Sequence, residues 1–202
     1  MKKRTHLLLA IILLSGSLSA QQFRSGVKGG FNYSSLYVDD VEDRKIRPGF
    51  HAGFFVQSEL VEAVGIQTEL LFTTAGNRTT YDVGPFDGTV DFNLNYVQLP
   101  VMLNLKVVDI LEFHGGLYAA YLVGANTSTE GDFGSGFEEL DRDNFKDLDF
   151  GFAAGLGVNF GNLQAGLRYN LGLTEIADSD SSRDLLGDSK NVVGQIYVAI
   201  GF

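Results

Sequence analysis

Large apolar residues alternate with small or polar residues along eight stretches of the chain. A period of two is typical of a β-strand that presents one apolar face. In the last stretch, for example, Ile196, Val198 and Ile200 share one face, while Gln195 and Tyr197 share the other. The pattern predicts strands near 23–36, 48–60, 64–76, 89–106, 111–125, 146–160, 163–174 and 192–202.

The fourth predicted strand changes its apolar parity part-way along. Its large apolar residues occupy even positions up to Leu94 and odd positions from Val97 onward. An extra residue in one strand of a pair reverses the side on which the following side chains point. The pattern therefore predicts a β-bulge near Asn95–Val97, just before Pro100, a residue that also favours a local break in a strand.

The connections between the strands alternate between long and short. Of the 25 Asp and Glu residues, 17 lie in the four long connections. An up-and-down meander of eight antiparallel strands would then carry long acidic loops at one end and tight turns at the other. The long connections are near 37–47, 77–88, 126–145 and 175–190, and the short ones near 61–63, 107–110 and 161–162.

Alternation alone does not decide which face of the strands meets water. The less apolar face is rich in Gly and Ala, which fit the crowded interior of a narrow barrel better than a water-facing surface. Aromatic residues on the apolar face gather near the strand ends, as in the two girdles at membrane interfaces. These are Phe113, Phe160 and Phe202 at the short-turn end, and Tyr33, Phe50, Phe72 and Phe150 toward the long-loop end.

Small inward residues, aromatic girdles and unequal loops together favour a membrane barrel with its apolar face toward lipid. The sequence therefore predicts an all-β fold: a closed, eight-stranded, antiparallel, up-and-down transmembrane β-barrel. A soluble lipocalin-like carrier, with the apolar face inside, is the opposite arrangement of the same pattern. Closure requires the last strand to pair with the first, because an open strand edge cannot lie in lipid.

Phe202 ends the last strand on the apolar face. An aromatic at this position anchors the strand at the membrane interface. A terminal strand that ends in Phe also resembles the signal by which the outer-membrane barrel assembly machinery recognises its clients. We therefore expect Phe202 to serve as interface anchor and assembly signal, and the assembly machinery and outer-membrane lipids to be partners.

The first twenty residues differ from the rest of the chain. A basic start, an apolar run and a small-residue end predict a cleaved signal peptide over 1–20, which leaves a barrel domain over 21–202. A membrane-anchored helix is the rival interpretation of the apolar run. Loss of Lys2, Lys3 and Arg4 takes the net charge from −10 to −13, which disfavours nucleic-acid binding. The chain contains no Cys, and thus neither a disulfide nor a lipoprotein anchor.

Five segments together resemble one family. They are KGGFNYSSL, NYVQLPVMLNLK, FHGGLYAAYLVG, DFGFAAGLGVNFG and LQAGLRYNLGLTEI. Their order and spacing resemble the PorT-like outer-membrane β-barrel family of Bacteroidetes, although Gln98 stands where Glu is expected and Glu175 where Asp or Asn is expected. The resemblance implies a small porin-like outer-membrane barrel with no established substrate.

Few side chains are candidates for catalysis or metal binding. His51 and His114 are expected in the lumen near opposite ends, and with Ser34 and Ser35 they do not suggest a catalytic triad. The segment DSDSSRDLLGDS, residues 178–189, has acidic spacing like a Ca²⁺ loop but lacks the Gly and Glu of the EF-hand template. We expect no enzyme activity, cofactor or metal site, and at most weak divalent-ion bridging to lipopolysaccharide.

Lumen charges are the most informative candidates. Glu69 and Arg168 should both point inward near mid-height and form a polar pair, while Lys28 and Glu59 are expected to pair lower down. Charges in a narrow interior need partners. Such a pair suits either a structural plug or a selectivity or proton path.

Three functions follow from these expectations. The first is a non-enzymatic outer-membrane barrel whose long acidic loops serve envelope integrity, binding of an unknown ligand, or transport and secretion support. The second is a small passive channel for ions or small solutes. The third is the soluble periplasmic lipocalin-like carrier.

Overall fold

The computed structural model describes residues 23–37, 46–83, 86–131, 136–140, 145–176 and 189–202. The predicted signal peptide and most of the 178–189 segment lie outside these residues. The described part of the chain contains no helix long and apolar enough to cross a membrane. Its strands are β1 Phe23–Tyr37, β2 Arg47–Val61, β3 Val64–Val83, β4 Phe86–Val108, β5 Leu111–Gly131, β6 Gly136–Glu139, β7 Leu148–Phe160, β8 Leu163–Glu175 and β9 Lys190–Gly201.

Eight of these strands close into a ring. The hydrogen-bonded order runs β4-β3-β2-β1-β9-β8-β7-β5, and β5 pairs again with β4. All of the pairings are antiparallel, and β9 lies against β1 from Gly26↔Gly201 to Tyr37↔Lys190. The amide of Phe202 extends this seam by donating to the Ser25 carbonyl at 2.8 Å. The predicted eight-stranded barrel with paired first and last strands is confirmed.

Side chains alternate between a lumen face and an outer face. On β8 and β9, Leu167 and Ile196 are about half exposed, whereas their neighbours Arg168 and Tyr197 are buried. The aromatic residues predicted for the two girdles are all exposed. An outward apolar face of this extent suits lipid and not water, so the lipocalin-like arrangement is wrong for this chain.

The short connections are confirmed as two-residue turns. They comprise Glu62–Ala63, Asp109–Ile110 and Gly161–Asn162. Gly161 has a φ of 65°, which residues with a Cβ rarely adopt. The strands that flank these turns are therefore held in fixed register at the short-turn end of the barrel.

Two of the predicted long loops are largely strand. β3 and β4 pair as far as Val83↔Phe86, so the loop expected at 77–88 is wrong. The tip is rich in Thr, which favours strands, and Arg78 binds Asp91 across the pair through two hydrogen bonds of 2.6 and 2.7 Å. The loop expected at 126–145 is replaced in part by the end of β5 and by β6, which pairs with β5.

The predicted irregularity lies between Asn95 and Tyr96, as expected, but its extra residue belongs to β5. Asn95 pairs with Gly124 and Tyr96 with Leu122, which leaves Val123 without a partner on β4. Because β4 keeps its own parity, Leu94 points into the lumen and is buried. The expectation that Leu94 belongs to the outer apolar face is therefore wrong.

Glycines line the wall where large lumen side chains press against it. A Cβ at Gly151 would lie 2.5 Å from the Tyr118 ring, and one at Gly166 would lie 2.5 Å from the Tyr197 hydroxyl. A Cβ at Gly155 would lie 2.6 Å from His114 Nε2. The small residues of the less apolar face thus make room for a filled interior.

Candidate functional site

Glu69 on β3 is the centre of a buried charge cluster in the lumen. Arg168 on β8 binds both of its oxygens, with Nη1 to Oε2 at 2.7 Å and Nη2 to Oε1 at 2.8 Å. Lys28 Nζ lies 3.0 Å from Oε1, and Gln67 Nε2 donates to the same oxygen at 2.5 Å. The side chains of all three charged residues are essentially inaccessible to solvent.

The pairing expected between Lys28 and Glu59 is wrong. The β1–β2 ladder places Ser58 opposite Phe23, whereas Lys28 is level with Gly53. Glu59 is therefore several residues below Lys28, and it binds Lys106 at the short-turn mouth instead. The β2–β3 ladder brings Lys28 near the height of Glu69, because Gly53, the partner of Lys28 on β2, pairs onward with Leu71.

Tyr197 on β9 packs against both cations of the cluster. Lys28 Nζ lies 3.8 Å from the centre of its ring, and Arg168 Cζ lies 5.7 Å from it. His114 completes the layer: its ring meets Tyr197 edge-on at 5.9 Å, and its Nε2 accepts a hydrogen bond from Arg168 Nε at 3.3 Å. An aromatic face stabilises a desolvated cation, so Tyr197 supports a cluster with two cations and one carboxylate.

A second polar layer lies toward the short turns around the buried carboxylate of Glu112. Gln164 and Asn104 donate to Glu112 Oε1 at 3.1 Å, and Gln57 approaches Oε2 at 3.4 Å. Asn104 also donates to Gln67 Oε1 at 3.0 Å, which joins this layer to the Glu69 cluster. The lower half of the lumen is therefore a continuous hydrogen-bond network.

Toward the long-loop end, Asn32 organises another set of bonds. Its amide nitrogen donates to Thr73 Oγ1 at 2.9 Å and to the Thr74 carbonyl at 2.8 Å. Its oxygen accepts from His51 Nδ1 at 2.7 Å and from Gln195 Nε2 at 3.1 Å. His51 is thus a buried partner of an amide on a neighbouring strand.

Above these layers the interior becomes apolar, which alternation had not indicated. Phe145 and Ile176, which lie outside the barrel strands, pack into the same cluster as the fully buried Leu122. Backbone bonds hold these segments in place: Lys146 N–H donates to the Ile176 carbonyl at 2.9 Å, and Ile176 N–H to the Ser189 carbonyl at 2.9 Å. The remaining core members are Ala75, Leu94, Tyr96, Met102, Tyr118, Ala120, Ala125, Ala153 and Val193.

The short-turn mouth holds a vestibule of about 510 Å³. Its lining includes Glu112 at the inner end, the Lys106–Glu59 pair, and Phe202. Phe202 is 80% exposed, and Arg24 nearby donates to the Asn162 carbonyl at 2.7 Å. Phe202 therefore lies at the rim of the barrel, at the end of the seam between β1 and β9.

Three of the four residues considered for catalysis bind other partners, and the fourth, Ser35, has a buried hydroxyl with no hydrogen-bond partner among the described residues. Ser34 Oγ donates to the Arg47 carbonyl at 3.3 Å, while His51 bonds to Asn32 and His114 to Arg168. Within the described residues, no group of three or more His, Cys, Asp and Glu side chains is arranged to hold a metal ion. The geometry brings Glu69 and Arg168 together and leaves His51 and His114 in separate layers.

The sequence also matches a family model. Residues 19–178 match the model of the outer membrane protein beta-barrel domain. The chain belongs to this family. It is an integral β-barrel protein of the outer membrane, in agreement with its closed ring and its apolar outer face.

Solved structures with the same fold are distant in sequence. The attachment invasion locus protein Ail of Yersinia pestis, in complex with the heparin analogue sucrose octasulfate, superposes with a TM-score of 0.50 at 16% identity, over 90% of this chain and 99% of that one. Neisserial surface protein A gives a TM-score of 0.50 at 12% identity, over 89% and 97%. A search of curated proteins found no match. The likeness shows the fold alone.

Proposed function

We propose that this protein is an outer-membrane barrel that catalyses no reaction and passes no solute, and that acts through its long acidic loops. Those loops would serve envelope integrity, bind a partner, or support a transport or secretion system. One observation carries the proposal: side chains fill the lumen at every level, from Glu112 through the Glu69–Arg168 cluster to the apolar plug around Leu122. Eight strands enclose an interior that side chains can fill.

Planar-bilayer recording of the purified barrel tests the plug directly. We expect no steady conductance from the wild-type protein, with folding checked by its heat-modifiable migration on gels. A variant with Tyr118→Ala and Tyr197→Ala removes two large lumen side chains and should leak, which shows that the assay detects an opened lumen. Steady wild-type conductance on the scale of a trimeric porin would overturn the proposal.

A small passive channel is the second candidate. It is favoured by the polar lining that begins at the vestibule of about 510 Å³ and reaches Glu112 and the Glu69 cluster. Small and cation-selective conductance in the same recordings, abolished by Glu69→Gln, would place this function first. The Glu69–Arg168 pair would then act as a selectivity or proton path.

The proposal puts the long-loop end outside the cell and the short turns in the periplasm, as in other outer-membrane barrels. A net charge of −10 disfavours direct contact with anionic surfaces, so we expect lipopolysaccharide to be met through bridging divalent cations. The sucrose octasulfate of the Ail structure is a polyanion. An acidic chain is poorly suited to such a ligand, and we propose a different loop ligand here.

Phe202 is proposed as the assembly signal and the interface anchor. Its exposed ring and the bond from its amide to Ser25 support the anchoring role, because the residue closes the seam at the rim. The PorT-like resemblance of the five strand segments supports assembly by the outer-membrane barrel machinery. Within the proposal, the chain is a PorT-like member of the broader barrel family.

A further inference from the structure

A second, smaller cavity lies inside the barrel, where polar side chains meet residues of the apolar plug. Its volume is about 20 Å³, enough for one water or one ion. Its wall includes Thr73 and four longer polar side chains, those of Gln98, Asp149, Asn170 and Asn191. Each of them is more than nine-tenths buried.

The four side chains each present an oxygen that lacks a partner. Gln98 Oε1, Asp149 Oδ1, Asn170 Oδ1 and Asn191 Oδ1 accept no hydrogen bond from any of the described residues. The orientation of Asn191 is fixed, because its nitrogen donates to Asp149 Oδ2 at 3.0 Å and to the Tyr96 hydroxyl at 3.2 Å. Buried acceptors left without partners destabilise a fold, so four such oxygens on residues that line one cavity favour a bound ligand.

The strand register explains why these oxygens share a cavity. Ala120 on β5 pairs with Gln98 on one side and with Asp149 on the other. Because its side chain is a single methyl group, Ala120 leaves space between two longer polar residues. Asn170 enters from β8, where it pairs with Ala153 and Val193. Apolar residues thus separate the polar ones around the cavity.

Asp149 also lacks a compensating charge. Its Oδ2 accepts only from neutral groups, Tyr118 Oη at 3.2 Å and Asn191 Nδ2 at 3.0 Å. Lys28 and Arg168 both bind Glu69 instead. Among the buried Lys, Arg, Asp and Glu of the described lumen, these two cations face three carboxylates, those of Glu69, Glu112 and Asp149. These buried groups therefore carry one excess negative charge, and the half-buried Arg47 donates to Asn93 and to the Ala75 carbonyl and not to Asp149.

We propose that this cavity binds a small hard cation, Na⁺ or Ca²⁺, through the Asp149 carboxylate and the amide oxygens of Gln98, Asn170 and Asn191. One water molecule could donate to only two of the four oxygens, whereas a cation attracts all of them. Hard cations prefer carboxylate and amide oxygens. Mg²⁺ fits poorly, because it retains several waters for which the cavity has no room.

The experiment follows the stability of the refolded barrel in detergent. The protein is freed of ions with a chelator and held in choline chloride, and Na⁺ or Ca²⁺ then replaces choline at constant ionic strength. We expect the temperature of the heat-modifiable gel shift to rise and saturate with at least one of the two ions, since a ligand that binds only the folded state stabilises it. Comparison of the two titrations identifies the ion.

Asp149→Asn and Asn170→Leu should abolish this response, while Asp147→Asn should retain it. Asp147 is a matched control, because it removes the same charge from an exposed position two residues away. A response that persists unchanged in Asp149→Asn would overturn the proposal. Direct binding to the wild-type barrel, by ²³Na line broadening and ⁴⁵Ca²⁺ retention, does not depend on how the variants fold. Binding of neither ion would equally overturn it.

Discussion

Arg168 and Glu69 are 99 positions apart in the chain, yet they form two hydrogen bonds of 2.7 and 2.8 Å across the barrel. Lys28 is the second cation on the same carboxylate. The cluster is therefore asymmetric: loss of one cation leaves a neutral pair, whereas loss of the carboxylate leaves two cations buried together. This asymmetry makes the two partners of the pair unequal in their effect on stability.

Glu69→Gln should destabilise the barrel more than Arg168→Gln. Leaving a buried charge without its partner costs about 3–5 kcal/mol, and Glu69→Gln does so for both Lys28 and Arg168. The free energy of unfolding, from urea titration in lipid vesicles, measures the difference. Asp91→Asn, in the partly exposed pair with Arg78, is the control and should cost at most about 1 kcal/mol. A larger loss for Arg168→Gln than for Glu69→Gln would contradict the asymmetry.

Leu122→Ala should show that the apolar plug stabilises the barrel. Leu122 is fully buried in the lumen, and truncation of a buried Leu costs about 2–5 kcal/mol because it leaves a cavity. Leu117→Ala on the same strand is the matched control, since that side chain is 57% exposed on the outer face. The same urea titrations should show the smaller loss for Leu117→Ala. Equal losses would mean that the lumen around Leu122 does not contribute to stability.

Variants of Phe202 should distinguish a role in assembly in the cell from a role in the stability of the folded barrel. Deletion of Phe202 or Phe202→Asp should reduce the amount of folded barrel in the outer membrane far more than Phe202→Tyr, which keeps an aromatic at the interface. Fractionation with heat-modifiable migration measures that amount. Refolding in detergent is the companion assay, because it needs no assembly machinery. If all three variants reach the membrane as well as the wild type, Phe202 is not an assembly signal.

Single-cysteine labelling tests which end of the barrel faces outward. The chain contains no Cys, so each variant carries one reactive thiol. Cysteines at Glu138 in β6 and at Ser135, which lies outside the described residues, should react with an impermeant reagent on whole cells. A cysteine at Asn162, in the turn between β7 and β8, should react only after the cells are opened. The reverse pattern would place the long loops in the periplasm.

Alternation predicted the parts of the fold that depend on local sequence. Every barrel strand lies where a period of two was found, since in lipid the outer face must be apolar at nearly every second residue. The inward parity of Glu69 and Arg168 followed from the same pattern, and the structure places both in the lumen. The shorter extent predicted for β3 and β4 reflects the polar sequence of their tips, where strand pairing continues beyond the apolar face.

Features that depend on the relative height of strands were not predictable. The partner of Lys28 was missed because two ladders, β1–β2 and β2–β3, decide that it lies beside Glu69 and not Glu59. The apolar plug was missed because the predicted parity put Leu94 on the outer face, and because Phe145 and Ile176 reach the lumen from outside the barrel strands. The polar residues of the cavity at Asp149 come from four different strands, so no single segment of the sequence predicts it.

The closed seam between β1 and β9 limits how the barrel can enter a membrane. Lys28 lies on one side of that seam and Arg168 on the other, while Glu69 is two strands further round. A chain inserted one hairpin at a time would hold these charges in lipid before their partners arrived. Insertion should therefore be all-or-none, with the ring completed in one cooperative event. A cellular catalyst of insertion would have to shelter the polar inner wall until the two edge strands meet.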